Sequence, residues 1–192
     1  MISRSQWLPG LAACLLVSGA DWADAGRPVD IGQPLPGFEA TSLAGEAFSL
    51  ETAFQSHQAV VVLFTSTVCP YANYFASHVR ELSETYGPRG VLFVGVNSNN
   101  WESRQEIIDH TRERGFAFPM IKDEGHVIAD RLGADRTPEA FLVDSTGRLR
   151  YRGWVKSKKE SPDLQRALDA VLEGRPVRRP LTKAFGCAVD RY

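Results

Sequence analysis

The 192-residue sequence predicts an α/β domain in which helices cover both faces of a mixed β-sheet, forming a three-layer sandwich. Two continuous apolar runs, at residues 59–64 and 91–96, are typical of strands that are buried on both faces. Each run is followed by apolar side chains at helical spacing, and a hairpin pattern comes later in the chain. This order predicts that the two central strands are parallel and are joined by a right-handed crossover.

The other elements are predicted from turn residues and apolar periodicity. Residues 48–174 are expected to form one domain, between a Gly- and Pro-rich extended lead-in (26–47) and a basic C-terminal tail (175–192) that carries Cys187. Within the domain, in chain order, we expect an edge strand (48–50), the first buried strand, a helix (70–86), the second buried strand, a helix (103–114), a strand (116–121), a short helix (127–132), a hairpin (140–143 with 149–154) and a last helix (164–172).

Composition excludes several classes of function. The chain has 22 basic and 23 acidic residues, so no excess of positive charge is available to hold a nucleic acid. A hydrophobic fraction of 43% excludes wholesale disorder, and three cysteines are too few for a disulfide-rich scaffold. The four histidines show no metal-ligand spacing, so we expect neither a metal nor another cofactor.

Residues 1–25 have the features of a secretory signal peptide. Arg4 precedes an apolar segment (7–17) that is too short for a permanent membrane span, and Ala23-Asp24-Ala25 fits a signal-peptidase site. The prediction is therefore a secreted or periplasmic protein. An alternative is a lipid anchor, because the segment 11–14, which ends at Cys14, resembles a lipobox. The apolar run continues beyond Cys14, which favours ordinary cleavage.

The chemistry of the predicted domain centres on Cys69. This residue follows a buried strand and precedes Pro70, which suits the first turn of a helix, so Cys69 is expected at the helix N-cap. N–H groups and the positive end of the helix dipole favour a thiolate there, and the thiolate is the reactive form. The functional interpretation requires this sulfur to be ionised and reachable. The alternative is an inert cysteine that only packs.

A second motif lies 68 residues downstream. The segment 136–144 has a Thr137-Pro138 step directly before an apolar strand, followed by the acidic residue Asp144. This arrangement resembles the cis-proline loop of thioredoxin-fold proteins, which faces the nucleophilic sulfur and can pair with an extended substrate. An ordinary trans turn is the alternative.

Together these motifs resemble the redoxin branch of the thioredoxin superfamily, which includes alkyl hydroperoxide reductase-like and thiol-specific antioxidant domains. The resemblance covers about residues 30–192 and includes the segment Tyr151-Arg152-Gly153 and the late segment Phe185-Gly186-Cys187. It implies a thioredoxin-like fold and a thiol oxidoreductase with Cys69 as its nucleophile. Pro70, Tyr71, Thr137 and Pro138 are then expected to border the substrate. The implied partners are protein thiols and disulfides or a small peroxide, together with an external thiol reductant.

The sequence departs from the known redoxin patterns at catalytic positions. Ala72 stands where a C-x-x-C motif would have its second cysteine, and Val62 stands where peroxiredoxins have proline. Ser66 does match the peroxiredoxin hydroxyl position three residues before the cysteine, where it would orient a peroxide oxygen. Arg136 and Arg152 are the candidates for the peroxiredoxin arginine.

Cys187 is the candidate replacement for the missing second cysteine. In a two-cysteine cycle, a flexible tail would swing Cys187 towards Cys69 to resolve a mixed disulfide or a sulfenic acid. A permanent Cys69–Cys187 bridge would instead stabilise a non-catalytic binding or accessory module. A third alternative is that an external thiol resolves Cys69.

Overall fold

The computed structural model describes residues 29–156 and 162–190, so the predicted signal peptide lies outside the described residues. The α/β prediction is confirmed. The described chain forms β1 (Glu39–Thr41), β2 (Ala47–Ser49), α1 (Leu50–Ser56), β3 (Ala59–Phe64), α2 (Pro70–Tyr86), β4 (Val91–Asn97), α3 (Arg104–Arg114), β5 (Met120–Lys122), α4 (Val127–Leu132), β6 (Arg136–Thr137), β7 (Glu139–Asp144), β8 (Leu149–Gly153), α5 (Asp163–Leu172) and β9 (Cys187–Ala188).

The central sheet is mixed and has the strand order β5-β4-β3-β7-β8. β3 lies at its centre and pairs in parallel with β4 and antiparallel with β7, so that Val62 is opposite Val94 on one side and Phe141 on the other. β5 extends the parallel half, and β8 extends the antiparallel half through the predicted hairpin. The predicted parallel central pair is therefore confirmed.

Alternate residues of β3 contribute to two separate hydrophobic cores, because successive strand side chains point to opposite faces. Val60, Val62 and Phe64 pack with apolar side chains of α1 and α4. Ala59, Val61 and Leu63 pack with apolar side chains of α2, α3 and α5. Both faces of the sheet are therefore covered, which explains the continuous apolar run in the sequence and gives the three layers.

Two boundaries differ from the sequence predictions. The predicted lead-in contains β1, which pairs with β2, and Leu50 begins a helix that the sequence did not predict. Ser49 is the N-cap of that helix, and its hydroxyl accepts a hydrogen bond from the Thr52 N–H. The strand predicted at 116–121 is β5, which begins only at Met120.

The predicted tail also differs from expectation, because residues 180–190 are bound to the domain. Near the start of this segment, Arg152 N–H donates to the Pro180 carbonyl and Thr182 N–H donates to the Arg152 carbonyl. Near its end, β9 pairs antiparallel with β6, and Val189 is buried in the core. We call residues 180–190 the C-terminal strap.

Among the helices of the described residues, none combines the length and the apolar character needed to cross a bilayer.

Candidate active site

Cys69 lies at the N-cap of α2, directly after the loop that leaves the central strand β3. Pro70 is the first helical residue and is exposed. The Cys69 backbone is extended (φ −69°, ψ 117°), and its carbonyl accepts a hydrogen bond from the Asn73 N–H. The turn from β3 to α2 therefore places the cysteine side chain at the carboxyl end of the central strand.

The Thr137-Pro138 loop faces this sulfur. Its peptide bond is cis. In the thiol form, Cys69 Sγ donates to the Thr137 carbonyl at 3.0 Å. The Thr137 hydroxyl is buried, and it makes no hydrogen bond within the described part of the chain. Thr137 already contacts the Cys69 sulfur through its carbonyl. Its hydroxyl can therefore donate a hydrogen bond to that sulfur once Cys69 has lost its proton.

The strap brings Cys187 to the same place. In the β6–β9 pair, Cys187 lies directly opposite Thr137, and both cysteines are free thiols. The approach is close because the preceding residue is Gly186: a Cβ added there would be 2.0 Å from the Thr137 carbonyl oxygen. A glycine next to Cys187 is thus what allows the strap backbone to lie against the cis-proline loop.

The two sulfurs have different proton affinities. Burial raises the pKa of Cys69, but the thiolate form can accept hydrogen bonds from the Cys187 thiol, the Ala72 N–H and the Thr137 hydroxyl, and these outweigh burial, so the pKa is below its ordinary value. Burial and the neighbouring Cys69 raise the pKa of Cys187 to about 11. Cys69 is therefore the sulfur that ionises first.

Cys69 is not reachable in this conformation. Its exposed fraction is 1%, with Thr137 and Cys187 against the sulfur. The expectation of an accessible sulfur is wrong here, because the sequence gives no sign that the strap would lie across it. The swinging tail is likewise not what the structure shows, since Cys187 is already docked.

A buried carboxylate supports the loop before Cys69. Glu102, with an exposed fraction of 1%, accepts hydrogen bonds from Ser66 Oγ at 2.5 Å and from the Thr67 N–H at 2.6 Å. Asn97 and Asn99 donate to the same carboxylate at 2.7 and 2.5 Å. Burial raises the pKa of Glu102, but these hydrogen bonds outweigh it and hold the pKa below its ordinary value. Glu102 is therefore a carboxylate at neutral pH.

Ser66 connects this carboxylate to the cysteine loop. Its hydroxyl donates to Glu102 and accepts from the N–H groups of Val68 and Cys69 at 3.3 and 3.2 Å. The hydroxyl hydrogen that a peroxide would use is thus committed to Glu102. Sequence reasoning singled out Ser66 but missed Glu102, because a glutamate 36 residues away carries no local sign that it is buried beside a serine.

An aromatic cluster borders the site on the strap side. The Phe185 ring stacks on Trp154, with centroids 5.4 Å apart, and meets Tyr71 edge-on at 5.0 Å. Tyr71 therefore contacts the strap. We call Tyr71, Trp154 and Phe185 the aromatic cluster.

The two candidate arginines lie in different surroundings. Arg152 is buried, and it donates from Nε to Glu139 at 2.7 Å and from a terminal nitrogen to the Gly133 carbonyl at 2.5 Å. Its guanidinium also lies over the Phe141 ring. Arg136 is exposed, and its positive charge partly offsets the raised pKa of Cys187. Arg152 is thus occupied elsewhere.

Within residues 29–156 and 162–190, no three His, Cys, Asp or Glu side chains are grouped so as to hold a metal ion.

The chain is similar to known proteins in both sequence and structure. The family model described as AhpC/TSA matches residues 31–152. The thiol:disulfide interchange protein DsbE of Escherichia coli K12 is 30% identical over 151 residues, which cover 74% of this chain and 77% of that protein. The thiol-disulfide oxidoreductase ResA of Bacillus anthracis is 25% identical over 121 residues, covering 63% of this chain and 68% of that protein. A hypothetical protein from Sinorhizobium meliloti has a similar structure, with a TM-score of 0.79, 27% identity and coverage of 86% of this chain and 96% of that chain.

Proposed function

We propose that this chain, which belongs to the AhpC/TSA family, is a secreted or periplasmic thiol–disulfide oxidoreductase that uses Cys69 and Cys187 as its redox pair. The chain is an oxidoreductase of the thioredoxin fold. One observation carries the finer proposal: the β6–β9 pairing holds Cys187 directly opposite Thr137, whose carbonyl contacts the Cys69 sulfur, and Cys187 there is close enough to lower the pKa of Cys69. Cys187 thereby supplies the second sulfur that α2 lacks, since Ala72 stands at the second cysteine position of a C-x-x-C motif.

The proposed reaction consumes both thiols. The Cys69 thiolate attacks one sulfur of a substrate disulfide, so that a Cys69–substrate disulfide forms and the other substrate sulfur leaves as a thiolate. Cys187 then loses its proton and attacks Cys69 Sγ, which releases the second substrate sulfur as a thiolate. The substrate gains two electrons and the protein gains a Cys69–Cys187 disulfide. An external thiol reductant returns the electrons.

The pKa difference favours this order of attack. Cys187 contributes to the lowered pKa of Cys69 only while it is docked, but the Ala72 N–H and the Thr137 side chain also lower that pKa and do not belong to the strap, so Cys69 is the better first nucleophile near neutral pH. Cys187 has a pKa raised partly by Cys69 itself, and that contribution disappears once Cys69 is in a neutral mixed disulfide. Resolution is therefore easier after the first step than before it.

Disulfide exchange fits the site better than peroxide reduction. A peroxidase site needs polar donors that hold the peroxide oxygens beside the thiolate. The two groups that best match the peroxiredoxin pattern are occupied, because the Ser66 hydroxyl donates to Glu102 and Arg152 donates to Glu139 and Gly133; the Thr137 hydroxyl and the exposed Arg136 stay available near the two sulfurs. The cis-proline loop, in contrast, already makes a strand pair of the kind that an extended peptide would make.

The proposed location depends on residues 1–25, whose signal-peptide pattern predicts export. A redox pair of cysteines is suited to an oxidising compartment, where disulfides form and exchange. A lipid anchor at Cys14 is the alternative form of the exported protein. N-terminal sequencing and mass measurement of protein from the membrane and soluble fractions distinguish cleavage near Gly26 from acylation at Cys14.

Turnover with defined substrates tests the proposed reaction. The reduced protein is expected to reduce the disulfides of insulin when a thiol reductant is supplied, and to consume hydrogen peroxide far more slowly. Peroxide turnover that exceeds disulfide turnover would contradict the assignment. A Cys69–Cys187 bridge that survives mild reductant, together with no turnover of either substrate, would establish the non-catalytic module instead.

A further inference from the structure

The C-terminal strap occupies the edge on which a polypeptide substrate would bind. The outward backbone groups of Arg136 and Thr137 pair with Ala188 and Cys187, and Val189 N–H donates to the Asp135 carbonyl at 3.0 Å. An added strand recognises a sheet edge through these same groups. The family match ends at residue 152, so the strap lies beyond the matched domain.

The strap is anchored at both of its ends. At its start, Thr182 packs so closely against Gly153 that an added Cβ would be 2.1 Å from the Thr182 hydroxyl oxygen. At its end, Asp190 N–H donates to Asn99 Oδ1 at 3.0 Å, and His126 Nε2 lies 2.6 Å from the Asp190 carbonyl. Asn99 also donates to Glu102, so the end of the strap shares a partner with the carboxylate behind Cys69.

The middle of the strap is held less firmly. It contributes a strand of two residues, and Lys183, Phe185 and Ala188 are exposed. Phe185, which is 41% exposed, connects this part of the strap to the domain through its ring contacts with Tyr71 and Trp154. A segment with so few buried contacts can open locally without unfolding of the domain.

Opening is required for the chemistry, because Cys69 is buried while the strap is docked. We propose that the middle of the strap, residues 183–188, mimics a substrate and must leave the β6 edge before a polypeptide disulfide can bind there. This inference rests on the proposed function. The substrate segment that binds in place of the strap has the same register as the strap. It places a cysteine opposite Thr137, a small residue before that cysteine, and an aromatic side chain against Tyr71 and Trp154.

The return of the strap completes the cycle. When the strap re-forms its pair with β6, Cys187 reaches the Cys69–substrate disulfide and attacks Cys69 Sγ. The substrate leaves as a thiolate in the same event, because its backbone and the strap compete for one edge. Release of product is thereby coupled to formation of the Cys69–Cys187 disulfide.

Alkylation of Cys69 in the reduced full-length protein tests the strap without requiring turnover. Phe185→Ser removes the ring contacts, and Gly186→Val places a side chain against the Thr137 carbonyl, so both loosen the strap and keep both cysteines. Tyr74→Ser is the matched control, since it removes an exposed aromatic side chain outside the strap. Mass spectrometry locates the modified residue after reaction with a maleimide carrying polyethylene glycol.

We expect modification of Cys69 to be at least tenfold faster in both strap variants than in the wild type and the control. A synthetic peptide with the sequence of residues 183–190 and Cys187→Ser is expected to slow modification again in the variants, whereas the same residues in scrambled order are not. Equal rates in all four proteins, or equal protection by the scrambled peptide, would overturn the proposal. Faster modification without disulfide turnover would instead refute the proposed function and leave the strap established.

Discussion

The two sulfurs of the site are held by very different parts of the molecule. Cys69 lies at the start of a 17-residue helix, after a strand whose six residues are all buried. Cys187 lies in a strand of two residues, in the middle of a segment that is anchored at both ends and is held between them by backbone pairing and one aromatic ring. The comparison indicates a division of roles: the rigid position carries the low-pKa nucleophile, and the loosely held position carries the sulfur that must move.

Exchanging each sulfur for oxygen gives the largest expected effect. Cys69→Ser removes the nucleophile and is expected to lower disulfide turnover by about a thousandfold or more. Cys187→Ser keeps the first attack and blocks the second, so a covalent complex between Cys69 and substrate is expected to accumulate. Non-reducing electrophoresis and mass spectrometry detect that complex. If Cys187→Ser turns over like the wild type and no complex forms, an external thiol resolves Cys69 and the division of roles is refuted.

Substitution of Glu102, the buried carboxylate that supports the loop before Cys69, is expected to have the next largest effect. Glu102→Gln replaces a buried carboxylate that accepts four hydrogen bonds with an amide whose N–H₂ faces donors, and it is expected to cost about 3 kcal/mol in the free energy of unfolding. Denaturant titration measures this cost. Glu113→Gln, at an exposed position, is the control and is expected to change little.

The pH dependence of that cost has a definite sign. The pKa of Glu102 is lower in the folded chain than its ordinary value, so the carboxylate stabilises the fold fully above the unfolded pKa and loses this contribution as the pH falls through the folded pKa. The difference between wild type and Glu102→Gln is therefore expected to narrow in acid. A difference that stays constant or grows in acid would contradict the assigned ionisation.

Thr137 contacts both regions and gives the smallest expected effect. Thr137→Val keeps the backbone that pairs with Cys187 and removes the hydroxyl that helps lower the pKa of Cys69. Loss of one hydrogen bond of about 1 kcal/mol corresponds to about a fivefold smaller thiolate fraction near neutral pH. The pH profile of iodoacetamide reaction at Cys69 is expected to move to higher pH. Thr111→Val, in α3 away from the site, is the control. Identical pH profiles in the wild type and both variants would show that the Thr137 hydroxyl does not lower the pKa of Cys69.

Sequence reasoning predicted the rigid half of the site far better than the mobile half. The strand 59–64 and the helix 70–86 have the predicted limits, because a continuous apolar run and a Pro-initiated amphipathic segment are local signals. The cis-proline loop was also predicted from the local pattern around Thr137-Pro138. These elements place Cys69, Pro70, Thr137 and Pro138 without knowledge of the rest of the chain.

The parts that were missed depend on contacts between distant residues. Glu102 is buried by partners on other loops, and a single charged residue gives no signal of that burial. The docking of the strap depends on Gly186 meeting the Thr137 carbonyl and on Phe185 meeting Trp154, which no local pattern encodes. The sequence named Cys187 as a candidate partner, but only the fold brings it beside Cys69.

Peptide mapping after a single turnover tests the redox pair most directly. The reduced protein is mixed with an equimolar polypeptide disulfide, quenched with acid, alkylated and digested without reductant. We expect a peptide pair joined by a Cys69–Cys187 disulfide, within a monomer, and stoichiometric reduction of the substrate. Reduction of the substrate while Cys187 stays a free thiol that is alkylated would show that Cys187 takes no part, and the proposed redox pair would then be refuted.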